Sequence, residues 1–389
     1  MERRRALQLL GCSLAAVAGC AGRETGSGSE AGNGSSGETA VAADLASRGF
    51  SRFESYGRDR AVLRLAADDV PRDRPADRHL QVTTHRYPRG PALAASDPAS
   101  LPEIEGAEQT LTIPLEPVSE ADAEPGPDPV YAHHVATRVS DGPAEGAGPA
   151  RIVIAESDRF EWRPDTDPIP APHPERVGPL SKPGFERESV EGAYHLTIGG
   201  DDVDWRLPLR VFSSEFVRGA TGWRGHDYPP YVEQATEMGL ATRIAGEVHG
   251  AAQALERDPL SFGIEVVQRL PYIPEKEGQP GEGTGKQDGQ GPREYIKYPA
   301  ETLVDGGGDC EDTSILLASL LQAPPYDRDC VLVHPTNHMG VGVASEEAGG
   351  TFYGRDGRRY FYVETTEPGW RLGALPEAYA NETAMVFDV

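Results

Sequence analysis

The sequence predicts an α+β protein in which a β-rich half precedes a half built from one buried helix and an antiparallel sheet. Between residues 49 and 218, short β-type runs alternate apolar and polar residues and are separated by Pro, Gly and Asp clusters. After residue 228 apolar residues fall at helical spacing, and the run "SILLASLL", apolar on nearly every side, precedes several strand-like segments. One buried helix followed by strands is the order of an α+β domain.

The charge balance excludes nucleic acid as a partner. Lys and Arg sum to 37 against 62 for Asp and Glu, which gives a net charge of −25, and a field of this sign repels polyanions. Nearly all the positive charge is Arg, because the chain has only four lysines. This composition resembles that of proteins from extreme halophiles, in which molar salt screens the self-repulsion. An ordinary acidic surface is the alternative.

The N-terminus has the pattern of an export signal followed by a lipid anchor. Residues 1–19 combine consecutive arginines with a short apolar segment, which is too short to cross a bilayer core needing ~20 residues. The segment "VAGC" resembles a lipobox, so we expect Cys20 to carry lipid and to begin the mature chain. The basic residues fit a twin-arginine signal or a plain basic one. We therefore predict a protein on the extracellular face of the membrane, held by the lipid anchor alone.

The rest of the chain divides into three segments by composition. Residues 20–48 are rich in Gly, Ser and acid and predict a flexible tether. Residues 49–218 predict a β-rich accessory domain, a sandwich or barrel, without a recognisable site. Residues 228–389 predict the α+β domain, with a mobile surface insertion of Gly, Gln and charge at 275–292.

Within the α+β domain the sequence predicts the individual elements. Two prolines precede "YVEQATEMGLATRIAGEVHGAAQALE", which predicts one long helix, and "SFGIEVVQRLPYI" predicts a second, shorter one. The cysteine-bearing helix follows in "VDGGGDCEDTSILLASLLQA". After a Pro-Pro break, "CVLVHP", "HMGVGVA", "TFYG" and "RYFYVETT" predict successive antiparallel strands.

Cys310 lies two residues after a run of three glycines, at the start of the predicted buried helix. Asp309 is placed as an N-cap, with Asp312 completing a capping box. Cys310 then occupies the first helical position, where the helix dipole lowers a thiol pKa, whereas the flanking carboxylates raise it. We expect the glycines to leave the thiol at an exposed helix start. The thiol therefore needs a cationic partner to become a nucleophile.

Two downstream histidines, His334 and His338, could supply that partner. His338 begins a strand that is expected to run beside the helix. Glu364 follows the last strong strand and could orient the imidazole by accepting its other N–H. Adjacent antiparallel strands would bring Glu364 and His338 side by side, although 26 residues separate them.

These motifs resemble the transglutaminase-like superfamily, whose fold is related to that of papain. In that family a Cys opens the central helix after a Gly-rich turn, a His starts one strand, and an acid or amide ends the next. The resemblance places Cys310 as nucleophile, His338 as base and Glu364 as acid. It covers about residues 228–376. The chain departs from the family at Gly340, where an aromatic residue is usual, and in having Glu as the third member.

The resemblance implies a reaction and a class of substrate. The thiolate of Cys310 would attack a peptide or protein amide at the cell surface and form a thioester, which water or an amine would resolve. The backbone N–H of Cys310 is one oxyanion donor. The second donor is open, and Tyr295 and Tyr298 are more typical of packing. No cofactor or metal is expected, and the oligomeric state is open.

Several other interpretations compete with catalysis. Cys310 could form a disulfide with Cys330, but a helix about 20 Å long would separate them, so Cys330 is better interpreted as a buried strand residue. A zinc site from Cys310, His338 and Glu364 lacks the usual ligand spacing. The thiol could be buried and inert. The domain would then serve a catalytically inactive surface binding protein.

Overall fold

A computed structural model describes residues 48–389 apart from short gaps. The gaps are residues 71–78, 89, 102–103, 105, 117, 119–129, 141–149, 164–165, 172–176, 201, 226, 275–294, 347 and 381. The predicted export signal, Cys20, nearly all of the tether and the predicted insertion at 275–292 therefore lie outside the described residues. Across the described part of the chain, no helix has the length and apolar character needed to cross a membrane.

The described residues of the β-rich region form three antiparallel sheets. Its strands are β1 (Arg52–Tyr56), β2 (Arg60–Ala66), β3 (His79–Arg86), β4 (Ala92–Ala95), β5 (Ala99–Ser100), β6 (Glu108–Pro114), β7 (Val130–Ser140), β8 (Ala150–Glu156), β9 (Phe160–Trp162), β10 (Ile169–Pro170), β11 (Leu180–Lys182), β12 (Phe185–Val190), β13 (Ala193–Ile198) and β14 (Leu207–Phe212). The sheets have the orders β1-β2-β6, β10-β9-β7-β3-β4 and β11-β12-β13-β14, with β5 beside β3 and β8 beside β7 in the second.

The first two sheets enclose one apolar core. Alternate residues of β2, among them Leu63 and Leu65, are fully buried and pack with Leu80 of β3 and Ile154 of β8. The alternation in the sequence therefore gives one buried face per strand, as expected for a two-sheet packing.

The third sheet, β11–β14, packs on the helices that follow it. Leu196, Trp205 and Leu209 belong to the same core cluster as the helical residues downstream. Arg210 of β14 is buried and donates to the backbone oxygen of Ile154 at 2.7 Å, so it links this sheet to the preceding one. The predicted division of the chain into domains at 49–218 and 228–389 stays a prediction.

Six α-helices lie in the described part of the chain. They are α1 (Ser213–Ala220), α2 (Pro229–Glu237), α3 (Leu240–Ala254), α4 (Pro259–Gln268), α5 (Pro299–Asp305) and α6 (Cys310–Gln322). The prediction of one long helix over α2 and α3 is wrong. Gly239 has a φ of 75°, in the left-handed region, and this separates the two helices.

The C-terminal sheet lies against α6. Its strands are β15 (Cys330–His334), β16 (Gly340–Ala344), β17 (Phe352–Arg355), β18 (Arg358–Val363) and β19 (Met385–Asp388), in the antiparallel order β17-β18-β16-β15-β19. Helix α6 is buried from its first residue to Leu321 and packs on β15 and β16. This confirms the predicted α+β class, with a buried cysteine-bearing helix on an antiparallel sheet.

Candidate active site

The N-terminus of α6 is closed by the predicted capping box. The carboxylate of Asp309 accepts the N–H of Asp312, and Asp312 Oδ2 accepts the N–H of Asp309, each at 3.4 Å. Asp312 Oδ1 also accepts the N–H of Lys297 at 2.7 Å. Two of the otherwise unpaired amides at this helix end are thus satisfied, and Cys310 is fixed as the first helical residue.

The glycines before Cys310 let another segment of the chain pack against the helix start. Gly307 has a φ of 131°, and a Cβ there would lie 1.9 Å from the carbonyl oxygen of Pro271. The N–H of Ile273 donates to the oxygen of Gly308 at 2.8 Å. The expectation of an exposed thiol is therefore wrong, because Cys310 is only 7% exposed. The glycines allow the backbone of residues 271–273 to pack directly against the backbone before α6.

The thiol of Cys310 is held by its neighbouring acid. Sγ donates to Glu311 Oε2 at 2.9 Å. Burial, followed by the charge and hydrogen bond of Glu311 and the charge of Asp309, raises the pKa of Cys310 well above its usual value. The backbone N–H of Met339 acts in the opposite direction. In this arrangement the thiol is protonated at neutral pH.

His338 and Glu364 form a hydrogen-bonded pair at the end of the sheet. His338 Nε2 lies 2.7 Å from Glu364 Oε2, and both residues are buried. The predicted neighbourhood of these two side chains is therefore observed. Because Nε2 faces the acid, Nδ1 is the ring nitrogen left to exchange a proton with a thiol.

Glu364 is held as a carboxylate by several donors. Its Oε1 accepts the N–H groups of Thr365 and Thr366 at 3.0 Å each, and the hydroxyl of Thr366 at 2.7 Å. Burial alone raises the pKa of Glu364, but the hydrogen bond and charge of His338, together with Thr366, lower it below its usual value. Gln268 of α4 donates to the backbone oxygen of Glu364 at 2.7 Å and fixes the strand end.

The ring of Tyr362 packs directly against Gly340. A Cβ on Gly340 would lie 2.5 Å from the Tyr362 ring, so the ring fills that space. The Tyr362 hydroxyl also donates to Glu364 Oε2 at 3.3 Å. The ring of Tyr362 on β18 thus fills the space beside Gly340, at the start of strand β16.

The three predicted site residues lie in one region of the fold. The N–H of Met339, the residue after His338, interacts with the sulfur of Cys310. Among the hydrogen bonds of the described residues, none joins the Cys310 sulfur directly to the imidazole of His338. His334 lies at the end of β15, paired in register with Met385 of the edge strand β19, and has no part in the His338–Glu364 pair. The catalytic roles of Cys310, His338 and Glu364 stay predictions.

The other candidates from the sequence are placed elsewhere. Tyr295 donates to Glu301 at 2.6 Å and Tyr298 to the oxygen of Trp223 at 2.9 Å, so both belong to a packing cluster around Arg224 rather than to an oxyanion site. Cys310 and Cys330 are both free, which excludes their disulfide. Within the described residues, no group of three His, Cys, Asp or Glu side chains is placed to hold a metal ion.

Sequence reasoning missed two aromatic residues of the site. Tyr379 stacks on His338, with ring centroids 4.6 Å apart and an angle of 7° between the planes. Tyr272 is 53% exposed, and burial, followed by the charges of Cys310, Asp309 and Glu311, raises its pKa to about 12. Each of the two lies in a connection far from Cys310 along the chain, so no spacing relative to Cys310 identifies it.

A cavity of about 510 Å³ lies apart from these residues. It is lined by residues of β11, β12 and β13 and by Arg206 and Arg269, and includes none of the predicted catalytic side chains.

The chain has little similarity to known proteins. No family model matches the chain, and no curated protein matches it. Among solved structures, the chain is similar to calcium-bound LapG of Legionella pneumophila, with 20% identity over 40% of this chain and 83% of that chain and a TM-score of 0.23.

Proposed function

We propose that this protein is a cell-surface lipoprotein with a transglutaminase-like thiol site, acting on peptide or protein amide bonds through a thioester on Cys310. The observation that supports this most directly is the 2.7 Å contact between His338 Nε2 and Glu364 Oε2 beside the start of the cysteine helix. An acid that orients a histidine next to a cysteine is the arrangement of a thiol enzyme. The papain-like form of the α+β fold is part of the same proposal.

The reaction proceeds in two steps. The thiol of Cys310 turns from Glu311 towards His338 Nδ1 and transfers its proton there, and Glu364 stabilises the resulting imidazolium at Nε2. The thiolate attacks the carbonyl carbon, the backbone N–H of Cys310 stabilises the oxyanion, and the amine leaves with the proton of His338. Water, or an incoming amine, then cleaves the thioester and restores the thiol.

A non-catalytic surface binding protein is the second candidate. The hydrogen bond from Cys310 Sγ to Glu311 and the burial of the thiol favour it, because both oppose thiolate formation. In that case the domain is a scaffold and the β-rich half supplies contacts to a partner.

Thiol labelling separates the two candidates. Iodoacetamide is applied to the full chain at neutral pH, and modification of Cys310 is followed by peptide mass spectrometry. For an enzyme, His338→Ala and Glu364→Gln should slow labelling of Cys310 at least tenfold, whereas His334→Ala should leave it unchanged. Equal labelling rates for wild type and His338→Ala would reject the thiol-enzyme proposal and favour the binding protein.

The proposed anchor has its own test. Cys20→Ser should release the protein from membranes into the medium, whereas Cys12→Ser, within the proposed signal segment, should leave it membrane-bound. A protein that stays membrane-bound after Cys20→Ser would contradict lipid attachment at that position.

A further inference from the structure

Tyr379 reaches the site from a surface turn. It ends the short 3-10 turn Glu377–Tyr379, which lies between β18 and β19. Its N–H donates to the oxygen of Pro376 at 2.9 Å, and its own oxygen accepts the N–H of Glu382 at 3.0 Å. The residues on either side of it are exposed, whereas Tyr379 itself is partly buried. The side chain of Tyr379 is therefore the one in this turn that points towards the interior.

That side chain covers one face of the His338 imidazole. The two rings are nearly parallel, at 7°, with centroids 4.6 Å apart, which is the separation of an offset stack. A parallel aromatic neighbour restricts rotation of the imidazole about its ring torsion. The stack thereby helps to keep Nε2 directed at Glu364 and Nδ1 directed away from it.

The charged and titratable groups around this stack come from four elements. Glu364 follows β18 and bonds to His338, while Cys310 begins α6. Burial, then the charges of Glu364, Cys310 and Glu382, raise the pKa of Tyr379. Tyr272 completes the surroundings, since the charge of Tyr379 contributes to its raised pKa.

We propose that Tyr379 is a positioning residue of His338 in addition to Glu364: its ring fixes the plane of the imidazole and stabilises the imidazolium that forms when Cys310 gives up its proton. This inference rests on the proposed function. The negative face of an aromatic ring attracts a cation held above it, and that attraction vanishes when the cation loses its charge. Tyr379 therefore favours the protonated histidine over the neutral one. It acts through His338 and requires no contact with the substrate.

The test measures the histidine directly, whether or not the thiol reacts. The full chain is labelled with ¹³C at histidine Cε1, the His338 signal is assigned with His338→Gln, and its NMR titration midpoint is measured in Tyr379 variants. Tyr379→Leu should lower that midpoint by roughly 0.4–1.5 pH units, the range expected for loss of a cation–π contact. Tyr379→Phe and Tyr379→Trp keep an aromatic face and should stay within about 0.2 units of wild type or above it.

A matched control is available in the β-rich region. Tyr131 is also partly buried and lies under the guanidinium of Arg159, 4.5 Å from its ring centroid. Tyr131→Leu should not change the His338 midpoint. Retention of the wild-type midpoint in Tyr379→Leu, or an equal decrease in Tyr379→Phe, would overturn the inference. If Tyr379→Leu does not fold, Tyr379→Trp decides: a midpoint no more than about 0.2 units below wild type supports the inference, and any larger fall overturns it.

Labelling kinetics distinguish this inference from the proposed function. If Tyr379 positions a working base, the pH profile of Cys310 alkylation should move with the His338 midpoint in Tyr379→Leu and be restored in Tyr379→Phe. If Cys310 is alkylated at the same rate in His338→Ala as in wild type, the proposed function fails. The NMR midpoint still decides whether Tyr379 stabilises the imidazolium.

Discussion

Replacement of Glu311 by glutamine should make Cys310 more reactive. The carboxylate lies 2.9 Å from the sulfur, accepts its proton and repels the thiolate. Glutamine keeps a hydrogen-bonding oxygen of similar size but removes the charge. The substitution therefore isolates the electrostatic effect of Glu311 on the thiol.

The magnitude follows from the contact distance. At 2.9 Å two unit charges repel by about 1.4 kcal/mol with the dielectric constant of water and by about 5.7 kcal/mol at an effective value of 20. Division by 1.36 kcal/mol per pH unit gives a fall in the Cys310 pKa of roughly 1 to 4 units. Each unit raises the thiolate fraction tenfold at pH 7 but weakens the nucleophile by roughly threefold. The net gain in alkylation rate is about 3-fold to 100-fold.

The assay is the iodoacetamide rate at Cys310, measured between pH 6 and 10 by peptide mass spectrometry. Glu161→Gln is the control, because Glu161 lies in the β-rich region and pairs with Arg163. Cys330 is an internal reference in the same digest, since it is buried in β15. A rate for Glu311→Gln equal to or below that of wild type, with the fold intact by circular dichroism, would refute the argument that Glu311 suppresses the thiolate.

Three further substitutions test the packing and charge around the site. Gly340→Ala should lower the free energy of unfolding by about 1–3 kcal/mol in denaturant titrations, because the new Cβ would lie 2.5 Å from the Tyr362 ring. Burial, followed by the charge of Asp309, raises the pKa of Asp312 to about 8, so the folded state holds this proton more tightly than the unfolded chain. The stability that this proton confers is complete below the ordinary pKa of 3.8 and is lost as the pH rises to about 8. In Asp312→Asn, the free energy of unfolding should therefore decrease less over this pH range than it does in wild type. Arg210→Met should cost about 3–5 kcal/mol, because it leaves the buried carboxylate of Asp69 without its cationic partner, 3.2 Å away.

Each of these expectations has a specific counter-result. Gly354→Ala, where a Cβ meets no atom within 4 Å, should change stability by less than about 0.5 kcal/mol, and an equal loss at both glycines would contradict the packing argument. Parallel pH profiles for wild type and Asp312→Asn would contradict the raised pKa. Arg206→Met, at a largely exposed position, should cost less than about 1 kcal/mol, and a similar loss in Arg210→Met would show that the buried pair contributes little.

The helix start and the strands that carry the site residues could be predicted because they depend on local sequence patterns, whereas the order of the strands in the sheet and the edge strand β19 were not predicted. Asp309 and Asp312 stand three residues apart, and that spacing alone defines the capping box. The strand periodicity similarly placed His338 before one strand and Glu364 after its neighbour. The pair observed between them needed only the antiparallel order of β16 and β18.

The failures came from contacts that are distant along the chain. The segment around Pro271 packs on Gly307, just before the buried Cys310, from 36 residues away along the chain. Tyr379 reaches His338 from a turn without any periodic pattern. The break at Gly239 was missed because helical spacing of apolar residues continues on both sides of it. A pattern in one sequence contains no information on such long-range packing.

The hydrogen bonds around Glu364 also limit how this position can evolve. Five donors converge on its carboxylate, two of them backbone amides of the next two residues. An aspartate would withdraw that carboxylate by about one carbon–carbon bond, roughly 1.5 Å, and the backbone amides could not follow it. A single change to the shorter acid would therefore have to be preceded by a rearrangement of the strand end. Glu364 and the two threonines that follow it, whose backbone amides bind its carboxylate, are consequently expected to be inherited together.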